Sequence, residues 1–293
     1  MTSTGLSPST SSTPRNPPEA PVGSPRAPGR PTVWVPRLLL ATGIGHLLVA
    51  VRLDAPSWGA MVADGGWNSA TGTVREGAFW FAFLGLILVL TATLIRQTVR
   101  LDGRLPRRLG PVLLVAFAPA AVFVPSSGVW VVIAIGLLAW IAQRRDGGPA
   151  ATPDIPPGRL ARTVTWGMWS IVAVHLSASW VYRADLAVLV RDGAWNTVHG
   201  PERVLAFWFV VFGTALATAT VLVHQTVRAT GRLPRHFGAA MLATFLPPAL
   251  LLPASGLWSL VAVGLVALAE RPRAVGGAVG SASGPRTLPS SPA

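Results

Sequence analysis

The stretch DGGWNSATGTVREGAFWF (64–81) returns 128 residues later as DGAWNTVHGPERVLAFWF (192–209). The register runs without a gap from Asp64–Ile141 onto Asp192–Ala269, and 35 of those 78 positions are identical. Two further blocks keep the same offset, QTVRLDGRLPR (97–107) with QTVRATGRLPR (225–235) and PSSGVW (125–130) with PASGLW (253–258). Most of what lies between these blocks is apolar. The chain therefore reads as one hydrophobic unit made twice, and the duplication predicts architecture far more sharply than chemistry.

Composition points to lipid. Of 293 residues, 12% are charged and 51% hydrophobic, whereas a soluble domain carries about 25% charged residues. Long apolar runs account for the difference. The chain has no cysteine, which excludes disulfides, thiolate nucleophiles and cysteine-bound metals. It has no lysine, which excludes Schiff-base and P-loop chemistry. The net charge of +13 comes entirely from arginines in short segments beside apolar runs. That placement orients a membrane protein. Nucleic acid is excluded as a partner because no basic patch is interleaved with exposed aromatics.

Eight apolar segments are expected as helices, at roughly 34–52, 77–95, 109–124, 127–142, 163–182, 204–223, 237–252 and 255–269. Crossing a 30 Å hydrocarbon core takes about 20 residues, so several of these need flanking residues or a thinned bilayer to span. The predicted fold is all-α and integral to the membrane, with eight transmembrane helices in two parallel four-helix repeats. An even number of spans per unit makes both copies enter from the same side. The expected divisions are a disordered tail over 1–32, a first repeat over 33–145, a Pro/Gly-rich linker over 146–160, a second repeat over 161–271 and a disordered tail over 272–293. The tails are rich in Ser, Thr, Pro and Gly and cannot bury enough apolar surface to offset chain entropy. No small-x-small site follows the first apolar run, so a cleaved signal is not expected.

With a cytoplasmic amino terminus, 19 of the 24 arginines fall on the inner side. Arg52, Arg75, Arg183, Arg191 and Arg203 fall outside. This bias predicts a multi-pass plasma-membrane protein with both termini cytoplasmic. The tryptophans fit two interfacial belts. Trp58, Trp67, Trp80, Trp130, Trp180, Trp195, Trp208 and Trp258 lie towards the outer ends, and Trp34, Trp140, Trp166 and Trp169 towards the inner.

Several motifs recur in both halves. The first copy has GIGHLL (43–48), the DG-x-WN loop, AFWF, GRLPR and a P-x-SG-x-W hairpin, and the second has AVHL (173–176), DGAWNT, AFWF, GRLPR and PASGLW. This set resembles a family of small bacterial four-helix membrane proteins described only as a domain of unknown function, over about 36–145 and 161–273. The resemblance implies a fold and a membrane location but no activity. The chain departs from the single-unit pattern in being a tandem fusion.

Candidate site residues are few. His46 and His175 are ionisable groups well inside apolar segments, at similar depth once the register shifts by one residue. An intramembrane ionisable side chain is a functional candidate by default. Proton or substrate handling and haem or metal ligation are the sharper readings. A neutral imidazole donating to a carbonyl of a neighbouring helix is the plainer one. The parallel duplication, with a histidine at similar depth in each copy, predicts that the first helix of each repeat faces the repeat axis.

Asp64 and Asn68, with Asp192 and Asn196, form the outer loops. There Asp-Gly makes a tight turn and Asn caps a helix. The same residues can instead line a polar vestibule. Arg75 and Arg203 precede FWF and are expected to stack on Trp80 and Trp208, or to hold a lipid phosphate or anionic substrate. Gly85, Gly213, Gly136 and Gly264 are expected to let helices approach closely. The hairpins over 109–142 and 237–269 either span or are re-entrant, and in the re-entrant case their tips offer free carbonyls as a filter.

No catalytic residue, metal site or cofactor is predicted. The expected partner is the lipid bilayer, with self-association left open and a small-molecule substrate unspecified. A structural or accessory membrane protein of unassigned activity leads. The alternatives are a small-molecule permease or channel with a site between the repeats, and a haem or metal redox membrane protein.

Overall fold

A computed structural model describes residues 29–145, 156–234 and 236–270. Residues 1–28 of the expected first tail, all of the second and most of the 146–160 linker lie outside the described residues, while residues 30–32 and 159–160, expected in tail and linker, are already helical. Within them the secondary structure is helical, with no strand. Repeat 1 contains α1 (Arg30–Leu53), α2 (Ala55–Ala63), α3 (Thr73–Asp102), α4 (Leu109–Phe123) and α5 (Val129–Arg145). Repeat 2 contains α6 (Arg159–Ala178), α7 (Arg183–Arg191), α8 (Pro201–Thr230), α9 (Phe237–Leu251) and α10 (Trp258–Leu268), with a 3-10 turn at Ser179–Tyr182 and another at Pro253–Ser255.

The expectation of eight spans is corrected. Among the described residues three helices are long and apolar enough to cross a membrane, namely α1, α3 and α8. For the hairpin helices the reason is length, whereas 20-residue α6 is long enough but less apolar. At 1.5 Å per residue α3 and α8 reach about 45 Å, whereas 15-residue α4 and α9 reach about 22 Å and 11-residue α10 about 16 Å. The long pair outruns its apolar stretch because Arg96, Arg100 and Arg228, good helix formers, continue the last turns. Each long helix then stops at a left-handed glycine, Gly103 or Gly231, whose N–H bonds Val99 or Val227.

α3 and α8 form the centre and share one of the most extensive contacts in the molecule. They run in the same direction. The Thr98 and Thr226 hydroxyls, equivalent positions of the two repeats, lie 3.4 Å apart near one end. At the other end Trp80 packs on Phe209 and Phe81 on Trp208, at ring-centroid separations of 5.2 and 4.8 Å. A constant offset at both ends requires parallel helices at equal height.

The remaining helices wrap this pair in matched sets. α1 lies on α3 and α6 on α8, while α5 leans on α1 and α10 on α6. The hairpins are exchanged: α4 of repeat 1 packs on α8, and α9 of repeat 2 on α3. Inside each hairpin a glycine lets two backbones meet. A Cβ on Gly110 would lie 2.6 Å from the Trp140 nitrogen, and one on Gly238 would lie 2.7 Å from that of Leu268. Among the glycines expected to pack, Gly85 and Gly213 would each bring a Cβ within 2.8 Å of a neighbouring helix's side chain. Gly136 and Gly264 would meet the facing helix of their hairpins at 3.2 and 3.0 Å.

Two further expectations change. The repeat axis is lined by α3 and α8, not by α1 and α6, because the buried FWF rings of the two repeats pack on each other there. Trp80 and Trp208 are 1% and 6% exposed and sit in the core. Their rings are claimed by that interface rather than by an interfacial belt. Trp67, Trp180 and Trp195, by contrast, are exposed.

Candidate functional site

The predicted residues fall into two places, each present twice. The first surrounds the histidines. His46 on α1 donates from Nε2 to the Phe81 carbonyl of α3 at 2.8 Å, and His175 on α6 donates to the Phe209 carbonyl of α8 at 3.0 Å. A carbonyl only accepts, so in both cases Nε2 carries the proton and the Nδ1 lone pair faces elsewhere. Each imidazole also touches an indole from the other repeat. His46 lies 6.2 Å from Trp208 and His175 5.6 Å from Trp80. The duplicated FWF therefore builds two crossed clusters. Within each, the Phe carbonyl belongs to one repeat and the capping Trp to the other.

The local environments differ. His175 lies flat on Phe209, 4.0 Å between centroids and 18° between planes, and also meets Phe212 at 5.1 Å. His46 meets Phe81 edge-on at 4.4 Å and 60°. Beyond His175 the second cluster continues to Tyr182, 5.1 Å from Phe209, and to Glu76, whose Oε1 accepts from the Trp80 indole N–H at 3.3 Å. Val204 occupies the Glu76 position in repeat 2, so the extension exists once.

The second place is the loop before each long helix. Arg75 Nη1 pairs with the Asp64 carboxylate and donates to the Ser69 carbonyl at 3.2 Å. Arg203 repeats this with Asp192 at 2.9 Å and the Thr197 carbonyl at 3.4 Å. The expected stacking of these arginines on Trp80 and Trp208 is thus corrected, because the loop's own carboxylate lies nearer the guanidinium and matches it in charge. The expected cap by Asn is also corrected. Asn68 and Asn196 hold left-handed backbone, φ +50 and +52, and α3 and α8 start without a side-chain cap. Asn tolerates that conformation better than most residues. Arg75 and Arg203 therefore clamp a turn, Asp64 and Asp192 answer them, and the asparagines bend it.

These loops are tied to the hairpin tips of the opposite repeat. The Asn68 and Ala70 N–H groups donate to the Leu250 and Leu251 carbonyls at 3.0 and 3.1 Å, and the Asn196 N–H donates to the Val122 carbonyl at 3.3 Å. The Leu250 and Leu251 carbonyls of α9 and the Val122 carbonyl of α4 are thereby satisfied by the protein and are not free to line a filter. The sequence shows no sign of this exchange, because the bonds are backbone to backbone.

Among the described residues no group of three or more His, Asp or Glu gathers as a metal site would need. The plane between the repeats, where a pore on the pseudo-axis would run, is filled by Trp80, Phe83, Phe209 and Phe212. Phe83 stacks on Phe212 at 4.7 Å and 15°.

Sequence reasoning missed Gly43 and the hairpin partners Gly110 and Gly238. The signal for the hairpin pair was present, since glycine is kept at both aligned positions. It also missed α2 and α7. Leu186, Leu189 and Val190 sit at helical spacing in α7, but Arg183, Asp185 and Arg191 disguise it as a loop.

The family model described as Family of unknown function (DUF6463) matches residues 30–146 and again residues 159–274. No curated protein matches. No solved structure matches.

Proposed function

The chain belongs to this family of unknown function as a tandem duplication of its domain, and from that premise we propose that it is a multi-pass membrane protein with a structural or accessory role. The observation that carries the reading is the surface of the bundle. Large apolar side chains face outwards on the peripheral helices, among them Leu48 and Val49 on α1, Val115 on α4, Val131 on α5, Val174 on α6 and Leu265 on α10. The α3–α8 pair is buried inside them. A soluble domain rarely exposes contiguous apolar surface on this scale, and lipid is the solvent that suits it.

In this reading α1, α3 and α8 cross the bilayer together with α6, the repeat counterpart of α1. The hairpins insert from the arginine-rich side and carry their tips up to the Asp64 and Asp192 loops. The 19-of-24 arginine bias supports a cytoplasmic location for that side, and for both termini, at a plasma membrane. The aromatic filling between the repeats and the engagement of both histidines by carbonyls favour packing over a permeation path or haem ligation.

Alkaline carbonate extraction of membranes holding the full chain is the test. Retention in the pellet is expected, with no haem absorption band in the purified protein. Release into the supernatant would overturn the membrane reading, and a haem band would replace the accessory role with a redox one.

A further inference from the structure

We propose that the arginine-rich end of the α1–α5 seam is a binding site for the phosphate of an anionic phospholipid, and that repeat 2 lacks it. The proposal rests on the membrane reading above and adds a ligand to it.

α1 and α5 pack against each other. α1 runs antiparallel to α3, with Gly43 against Gly85 and His46 against Phe81, so it begins beside the end of α3. α5 finishes at that same end because the Gln143 side-chain amide donates to the Pro106 carbonyl in the GRLPR turn that follows α3. At this shared end each helix carries an arginine over an indole. The Arg37 guanidinium carbon lies 5.6 Å from the centre of the Trp34 ring, and that of Arg144 lies 4.2 Å from the centre of Trp140. Both rings are exposed, Trp34 by 52% and Trp140 by 37%, and both arginines are exposed. Arg30 and Arg145 add charge at the same two helix ends. Neither α1 nor α5 contains an acidic residue.

A guanidinium held against an aromatic face keeps its N–H edge available, and that edge forks onto two phosphate oxygens. Indoles settle at the headgroup level of a bilayer. Clustered arginines at the cytoplasmic end of a spanning helix attract anionic lipid. Charge, depth and geometry thus describe a lipid phosphodiester. Repeat 2 does not keep the pattern. Thr163 and Leu268 stand where Trp34 and Trp140 stand in repeat 1. Just past α10 comes Glu270, whose carboxylate accepts from the Leu233 N–H at 3.2 Å.

The full chain, purified and equilibrated in mixed phosphatidylcholine and phosphatidylglycerol micelles, is read by native mass spectrometry for retained lipid. The wild type is expected to retain phosphatidylglycerol over phosphatidylcholine by about fivefold or more. Arg37→Gln/Arg144→Gln should reduce that preference to about one, while Arg159→Gln/Arg162→Gln in repeat 2 should leave it unchanged. Arg37→Lys/Arg144→Lys keeps charge without the fork and should fall between. Equal retention by wild type and the Arg37/Arg144 glutamine variant would overturn the site while leaving the membrane reading intact. Displacement of the lipid by inorganic phosphate alone would overturn the lipid assignment. Release of the chain by carbonate would remove the membrane reading itself.

Discussion

Where α1 crosses α3, two backbones touch; where α6 crosses α8, a side chain fills the gap. In repeat 1 a Cβ on Gly85 would lie 3.0 Å from the Gly43 carbonyl oxygen, and one on Gly43 would lie 3.0 Å from that of Gly85. In repeat 2 the Gly43 position is Val172, and a Cβ on Gly213 would find the Leu176 and His175 side chains nearest, at 2.7 and 2.8 Å. Yet both crossings end in the same bond, imidazole to phenylalanine carbonyl. The duplicated fold therefore holds its hydrogen bond and its central FWF interface fixed, while the approach of the flanking helix has drifted. Repeat 1 relies on backbone proximity and repeat 2 on stacking.

The largest expected effect follows from that difference. Gly85→Ala must push two backbones apart and should cost about 2–3 kcal/mol, whereas Gly213→Ala meets the movable Leu176 end and the His175 ring, which the Phe209 carbonyl holds, and should cost about 1–2 kcal/mol. Thermal unfolding in one detergent compares them, and equal losses would erase the distinction.

The histidines sharpen it in the opposite sense. His175 has three ring neighbours, Trp80, Phe209 and Phe212, against two for His46. His175→Leu should therefore cost more than His46→Leu, with both at about 1–2 kcal/mol. Glutamine at either place keeps a donor for the carbonyl and should cost less than leucine. A glutamine variant that stays folded but loses a pH-dependent flux in proteoliposomes would return the permease reading.

Smaller still is an exchange in the loops. Gly66 and Ala194 are equivalent, and both have positive φ, +78 and +65. Alanine is strained there by about 1 kcal/mol. Ala194→Gly should raise stability by up to that amount and Gly66→Ala should lower it, so shifts of the same sign would contradict the shared turn.

The smallest effect is confined to repeat 1. Burial raises the Asp54 carboxyl above its ordinary range. A carboxyl whose folded-state pKa is raised costs stability once it ionises, so the cost is absent at low pH and grows as pH rises past its unfolded value. Asp54→Asn should stabilise at pH 7 and match the wild type near pH 3. A larger gain in acid would have the wrong sign.

Much of this arrangement was legible in the sequence because apolar residues and punctuation agree. The segment expected at 109–124 is α4 at Leu109–Phe123, bounded by GRLPR before it and PSSG after it. The long helices were placed but read short at 77–95 and 204–223, because Arg96, Arg100 and Arg228 look like loop although they continue the helix. The carbonyl partners of His46 and His175 were expected in kind but could not be named, since nothing in a sequence identifies which backbone oxygen a ring will reach. The Asp64–Arg75 pair had a signal in its repetition at the same eleven-residue spacing as Asp192–Arg203. The exchange of hairpins between repeats had none.

The central claim is that both repeats enter one membrane in the same direction, with their tryptophan loops on one side and their GRLPR turns on the other. The chain has no cysteine of its own, so single cysteines report cleanly. Trp67→Cys and Trp195→Cys replace residues that are 61% and 62% exposed at the two loops. Arg104→Cys and Arg232→Cys replace exposed residues at the two turns. In intact cells a membrane-impermeant maleimide should label both loop cysteines, and the turn cysteines only after permeabilisation. Labelling of Trp67→Cys and Arg232→Cys from outside, with Trp195→Cys and Arg104→Cys protected, would mean that the repeats are inverted and would contradict the account.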